Sequence, residues 1–513
     1  MPRPKKLRVV IVKPSKYGVT GHVERFRRGF MPNSTVTHMN SMTPAQMDGC
    51  AIETVVVDEY VQTDLDYLSF LAKDSNPTLL ALVGVQSHQF HRSLDLAAYA
   101  LSNGVEHCII GGPHPMTCDT QAVQNRGVSI ALAEAEVIWP SVLRDAIRGE
   151  LRPAYGRDQR WQQELEAPVL TPPSRRDLRR YVIPMMGIYP ARGCPFTCNF
   201  CSVIKIAGRQ IRSQSVETTM ASLRAAKKAG VRMVMFTSDN FNKYPEAPEL
   251  MQRMIEEKIE IPFFVQCDTQ VARDEAFIEL LGRARCFGMF VGVESFKRKT
   301  LLTVHKAQNH PETYGEIIRL CRRYGVLSHF SNIIGFPGDS ASDVREHAGI
   351  LSELAPDKAD FYILTPIPGT DQYRDFLAAG RISEPNLDRY DGTNSTWRHD
   401  VMDARELSGL LFECYRRFYS CKRAARRVVS VLRPWKTPLG LIHEAAVTGF
   451  YRFCAWKQIH PMSGGVGRVW RDSSSDYVHL RRKRYGFDVA PLPGNLELSE
   501  SDAEFNRKAK MVL

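Results

Sequence analysis

The sequence predicts an α/β protein built from two successive parallel-sheet units, a Rossmann-like doubly wound N-terminal domain and a partial (β/α)6 barrel, followed by a helical C-terminal region. Two observations lead there. Short apolar, β-branched runs alternate with helix-length segments as far as about residue 385, and one polar, proline-bearing stretch at 151–182 interrupts the series. At 513 residues the chain exceeds what one ordinary core accommodates, so more than one folded unit is expected.

In the first unit, residues 1–150, the strand candidates are LRVVIV at 7–12, IETVVVD at 52–58, LLALVGV at 79–85, HCIIGG at 107–112 and VSIAL at 128–132. Runs this short and this apolar, separated by helical segments such as LDLAAYALSNG, read as parallel strands buried on both faces. Ligands of such sheets sit beyond the carboxyl ends of the strands. Residues 151–182 read as a linker between domains.

The second series occupies 183–385, with strand candidates MMGIYPA at 185–191, RMVMFTS at 232–238, PFFVQCD at 262–268, GMFVGVES at 288–295, HFSNIIGF at 329–336 and DFYILTPI at 360–367. Between them lie helical segments such as VETTMASLRAAKKAG, closed by Gly230 as a helix terminus requires. Six βα units of this length predict an open barrel with its chemistry at the carboxyl strand ends. Residues 386–513 are helical in pattern and strongly basic, with Arg416, Arg417, Lys422, Arg423, Arg426 and Arg427 close together.

Composition narrows the function classes. With 43% hydrophobic and 24% charged residues the chain reads as globular. Twelve cysteines spread over this length are not a disulfide scaffold, and Cys267, Cys286 and Cys321 fall in apolar periodic segments, which points to a reducing cytoplasm. The basic N-terminal stretch MPRPKKLRVVIVKP lacks the apolar core of an export signal, and no run reaches the roughly 18 apolar residues a membrane span needs. A formal charge of +12 without a zinc finger or an RNP aromatic pattern makes nucleic acid an unfavoured partner.

The chemistry is carried by RGCPFTCNFCS at 192–202, which spaces Cys194, Cys198 and Cys201 as Cys-x3-Cys-x2-Cys directly after the first barrel strand. A cubane of four irons offered three thiolates keeps one iron without a protein ligand, and an open iron can chelate a small molecule. A zinc knuckle is the alternative, but it wants a fourth Cys or His close by, and the next cysteine is Cys267.

The triad, with Phe200 before its third cysteine, resembles the radical S-adenosylmethionine (SAM) superfamily. The resemblance implies a 4Fe–4S cluster that cleaves SAM to a 5′-deoxyadenosyl radical, fed by an external donor such as flavodoxin or ferredoxin. It further implies that Thr237, Ser238 and Asp239 in TSDN lie where the methionine amine is met, that Glu294 lies where a carboxylate holds the ribose hydroxyls, and that Gly335 in GFPGD lies near the adenine.

The N-terminal unit resembles the cobalamin-binding domain of one radical SAM class, the class that includes the anaerobic magnesium-protoporphyrin cyclase. That resemblance rests on Gly111-Gly112-Pro113-His114-Pro115 and Ala133-Glu134-Ala135-Glu136, where the family has Gly-Gly-x-His-Pro and Gly-Glu-x-Glu. It implies cobalamin close to Gly111, Gly112 and His114, with Ala133 a small steric departure. No Asp-x-His-x-x-Gly motif is present, so no histidine is expected beneath cobalt. A lone histidine such as His88, His91 or His114 is otherwise read as a hydrogen-bonding structural residue.

The activity implied is a cobalamin-dependent C-methyltransferase acting on an unactivated carbon of a small-molecule, lipid-like or tetrapyrrole-like substrate. A cobalamin-free or non-methylating radical oxidoreductase or cyclase, and a non-enzymatic iron–sulfur protein, are the alternatives. The C-terminal aromatics Phe412, Tyr415, Phe418, Tyr419, Trp435, Phe450, Tyr451 and Trp456, set among arginines, suit either a peripheral membrane-surface helix or an aromatic core stripe. Tyr362, Asp268 and Cys267 are expected at strand ends facing the cavity, and no general acid or base is assigned.

Overall fold

A computed structural model describes residues 4–469 apart from 19–21, 63–75, 119, 121–122, 124–126, 385, 422, 424–437 and 462–463. Lys422, Arg426, Arg427 and Trp435 therefore lie outside the described residues.

The N-terminal sheet contains β1 (Lys6–Lys13), β2 (Gln46–Met47), β3 (Cys50–Asp58), β4 (Thr78–Leu82), β5 (His107–Gly111), β6 (Ser129–Ala131) and β7 (Ala154–Tyr155), in the order β2-β3-β1-β4-β5-β6-β7. All pair in parallel except the short edge strand β2. β7 extends the sheet past residue 150, into the stretch read as linker, because Ala154 and Tyr155 pair with Ile130 and Ala131.

Alternation along the strands feeds two cores. Val10, Val12, Leu80, Leu82 and Ile110 face α2 (Ser87–Ser102), while Leu7, Val9, Ile11, Leu79 and Ile109 face α1 (Ser34–Met42) and Trp139 and Val142 of α4 (Ala135–Arg148). A short helix, α3 (Pro113–Thr117), follows β5. The chain changes direction of winding between β1 and β4, so their carboxyl ends flank the crevice where this topology binds ligands.

The second sheet runs β8 (Met185–Ile188), β9 (Met233–Phe236), β10 (Phe263–Cys267), β11 (Cys286–Glu294), β12 (Leu327–Ile334) and β13 (Lys358–Ile363), all parallel and in sequential order. This is the predicted open barrel. Phe236, Phe263, Val265, Val291, Phe330 and Phe361 face the surrounding helices and are buried. Their alternates Met235, Phe264, Gln266, Phe290, His329 and Tyr362 are only half-buried and form the inner face. On that face His329 lies 5.0 Å from the Phe290 ring and bonds the buried Asp360 at 2.6 Å.

The C-terminal region is a brace rather than an appendage. Leu387, Tyr390 and Trp397 enter the core that holds Phe90 and Leu94 of α2, and a strand at Gly465–Val469 pairs with Arg25–Gly29. Phe412, Tyr415, Phe418, Tyr419 and Tyr451 are buried against β13, where the Tyr415 hydroxyl accepts from the Phe361 N–H at 3.0 Å. These five are the aromatic core stripe, because a β-strand edge with open backbone groups needs partners that reach it. Among the described residues no helix is long and apolar enough to cross a membrane.

Candidate active site

The cysteines sit on a loop, residues 193–211, that leaves the barrel after β8. Its neck is a two-residue antiparallel pair, Ala191 with Ser213 and Arg192 with Arg212. Gly193, at φ +101, must be glycine, since a Cβ there would lie 2.1 Å from the Gln210 carbonyl oxygen. The Gly193 N–H donates to Asp239 Oδ2 at 2.8 Å, tying the loop to the end of β9. Behind the third cysteine runs α5 (Val203–Ile206), and α6 (Val216–Ala229) completes the first βα unit.

All three cysteines are free thiols, with Cys198 buried and Cys194 and Cys201 partly so. Burial pushes the Cys201 thiol up to about 12 and the Cys194 thiol above its ordinary value. Among the described residues no three His, Cys, Asp or Glu side chains converge as a single ion requires. Cubane ligands each hold a different iron, and three cysteines on one loop suit that donor set.

The wall opposite is the segment after β11. Lys306 pairs with Glu294 at 2.9 Å and lies 5.7 Å over the Phe200 ring. Burial works against its charge, but Glu294 and then Cys198 hold it above its ordinary value. The Gln308 side-chain amide donates to Cys198 Sγ at 3.5 Å, and the Asn199 N–H bonds the Val304 carbonyl at 3.2 Å. The fully buried Asn309 fixes this segment through the carbonyls of Gly292 and Val293, both at 2.9 Å.

The residues expected to meet SAM divide by what already occupies them. Thr237 spends both its N–H and its hydroxyl on the Ile188 carbonyl, at 2.8 and 3.0 Å. Ser238 is 1% exposed and its hydroxyl has no partner, the sort of orphan a bound polar ligand satisfies. Glu294 takes a left-handed conformation, φ +61, at a register shift between β11 and β12, a strained position of the kind that recurs in binding sites. Gly335, at φ +73, turns the chain under Leu407 of α7 (Ala404–Phe418), whose side chain a Cβ would meet at 2.6 Å.

At the N-terminal domain the glycines lie tight against neighbouring backbone and side chains. Gly112 has φ +139, and a Cβ there would lie 2.1 Å from the Val85 backbone nitrogen; one at Gly111 would lie 3.0 Å from Ala131. His114 is buried, 3.1 Å from the Ser87 hydroxyl and tilted against the Phe90 ring, and burial pushes its imidazole down to about 3. His91 bonds Asp388 at 3.1 Å, and His88 is likewise pushed down to about 3 by burial. The Ala133 methyl is accommodated because Gly156, at φ +84, leaves no Cβ against it.

The carboxyl edge of that domain abuts the cluster loop. α3 packs on α5, and the Thr117 hydroxyl bonds the Pro368 carbonyl at 3.5 Å. Of the residues expected to face the cavity, Cys267 instead packs in the barrel's outer core, its thiol pushed well above the ordinary value by burial. Asp268 is consumed by Asn240 at 2.8 Å and by the Gln270 N–H at 2.6 Å, while Tyr362, on the inner face, is tilted against the His460 ring. Sequence reasoning missed Arg192, Arg212, Lys306 and Gln308, since each acquires meaning only from partners distant along the chain.

Residues 188–351 match the family model described as the radical SAM superfamily. The chain is 24% identical over 409 residues to the bacteriochlorophyllide d C-8(2)-methyltransferase of Chlorobaculum tepidum, spanning 76% of this chain and 86% of that protein. It is 23% identical over 235 residues to the anaerobic magnesium-protoporphyrin IX monomethyl ester cyclase of Rubrivivax gelatinosus, spanning 45% of this chain and 42% of that one. The solved radical SAM methyltransferase TsrM of Kitasatospora setae, with cobalamin and a 4Fe–4S cluster bound, superposes with a TM-score of 0.58 at 15% identity over 99% of each chain, a likeness of fold. The matched span starts at the last residue of β8, which leads into the cysteine loop, and ends in the helix after β12, so it covers the site described above and this part of the chain is a radical SAM domain.

Proposed function

We propose that the protein is a cobalamin-dependent radical SAM C-methyltransferase acting on an unactivated carbon of a small molecule. The observation that carries this reading is the docking of the Gly111–Cys118 segment, at the carboxyl end of a doubly wound sheet, against the helix behind Cys201. When bound, the cluster and SAM supply a 5′-deoxyadenosyl radical for hydrogen abstraction, and cobalamin supplies the methyl group. Cys194, Cys198 and Cys201 would hold three irons and leave the fourth to SAM. The unpartnered Ser238 hydroxyl is available to the methionine moiety, and the Glu294–Lys306 pair offers one acceptor and one cation to the ligand.

The similarity to a bacteriochlorophyllide methyltransferase supports a tetrapyrrole-like substrate. An external one-electron donor of the flavodoxin or ferredoxin type completes the reaction. The similarity to the magnesium-protoporphyrin cyclase favours a second reading, an oxidative radical reaction without methyl transfer. Anaerobic turnover with SAM and cobalamin separates the two. Methyl transfer yields 5′-deoxyadenosine and S-adenosylhomocysteine together; 5′-deoxyadenosine alone would exclude it and retain the second reading.

Peripheral contact with an anionic bilayer rests on Phe453 and Trp456, 53% and 70% exposed beside Arg452 and Lys457. Phe453→Ala/Trp456→Ala is expected to lower co-sedimentation with phosphatidylserine vesicles several-fold, and unchanged sedimentation would dismiss this contact.

A further inference from the structure

The Ala133–Glu136 element, counted by resemblance with the cobalamin-binding domain, sends both its carboxylates to the cluster loop. Arg212 donates to Glu134 through Nη1 and Nη2, each at 2.7 Å. Arg192 donates to Glu136 through Nη2 at 2.6 Å and Nη1 at 3.0 Å, and its Nη1 also lies 3.2 Å from Glu134. The four side chains are between 2% and 14% exposed, so these are buried, charge-assisted and bidentate contacts. Arg192 and Arg212 are the paired residues that close the neck of the loop bearing all three cysteines. Arg212 also reaches inside the loop, to the Ala207 carbonyl at 2.9 Å, and out to the Gln162 carbonyl at 3.1 Å. His38 completes the cage by bonding Glu136 at 2.6 Å.

We infer that Glu134 and Glu136 are positioning residues for the iron–sulfur cluster: the N-terminal domain sets the loop's geometry through the two neck arginines. This rests on the radical SAM reading above. The loop is also tied at Asp239, Val304 and Gln308, and two forked ion pairs across a buried interface fix the orientation of its neck. A carboxylate arm shortened by one methylene keeps the charge but displaces the guanidinium, and with it the residue preceding Gly193 and Cys194.

The test uses the full-length chain, reconstituted anaerobically with iron and sulfide, and compares wild type with Glu134→Asp, Glu136→Asp and Glu136→Gln. The Asp variants retain the ion pairs and are expected to keep the wild-type circular dichroism. Their SAM dissociation constant should rise about tenfold, and the electron paramagnetic resonance line shape of the reduced, SAM-bound cluster should change. Glu136→Gln should in addition lose cluster iron. Asp variants with wild-type SAM affinity and line shape, alongside a wild-type protein that carries its cluster, overturn this inference alone. A wild-type chain that takes up no cluster overturns the radical reading itself and the inference with it.

Discussion

Cys198→Ala is expected to abolish cluster assembly and to lower 5′-deoxyadenosine formation by at least about a thousandfold, roughly 4 kcal/mol of barrier. Two thiolates leave two irons without protein ligands, and neither of the neighbouring side chains, Gln308 and Lys306, can replace a sulfur donor: one is an amide donating to Cys198 Sγ, the other a cation paired with Glu294. Cys267→Ala is the control. That thiol is buried in the barrel's outer core, so its loss should cost about 1–2 kcal/mol of stability and leave iron content unchanged. Iron and sulfide analysis of both variants decides the matter, and equal iron in the two would contradict the assignment.

Gly112→Ala is expected to destabilise the N-terminal domain by about 3 kcal/mol before any cofactor is added. The new methyl would be placed 2.1 Å from the Val85 nitrogen, and φ +139 is a conformation that L side chains rarely adopt. Urea unfolding of the cofactor-free protein measures it. Should the variant instead match wild-type stability and lose only cobalamin affinity, the glycine would be serving the corrin and not the adjoining backbone.

The parallel strands were legible because a strand buried on both faces is largely apolar: LRVVIV lies within β1, and LLALVGV forms β4 as far as Leu82, three residues short of its expected end. The cysteine motif was legible because Cys194, Cys198 and Cys201 fall together in sequence and so on one loop. What escaped the sequence depends on distant partners. Arg192 and Glu136 are separated by 56 residues and Arg212 and Glu134 by 78, and nothing in the local composition marks either pair. Gly111 and Gly112 show the complementary difficulty. A glycine signals close approach without saying what approaches, and here that is the Val85 backbone and Ala131. The C-terminal aromatics were ambiguous for a similar reason, since the spacing that suits a membrane surface equally suits a barrel edge, where Tyr415 and Tyr419 bond the backbone of β13.

The reading as a whole turns on one iron lacking a protein ligand, and resonance spectroscopy of the reduced, anaerobically reconstituted protein addresses it most directly. The expected result is a 4Fe–4S cluster whose spectrum changes when SAM is added, because SAM occupies the open iron. Zinc in place of iron, or a cluster spectrum indifferent to SAM, would contradict it.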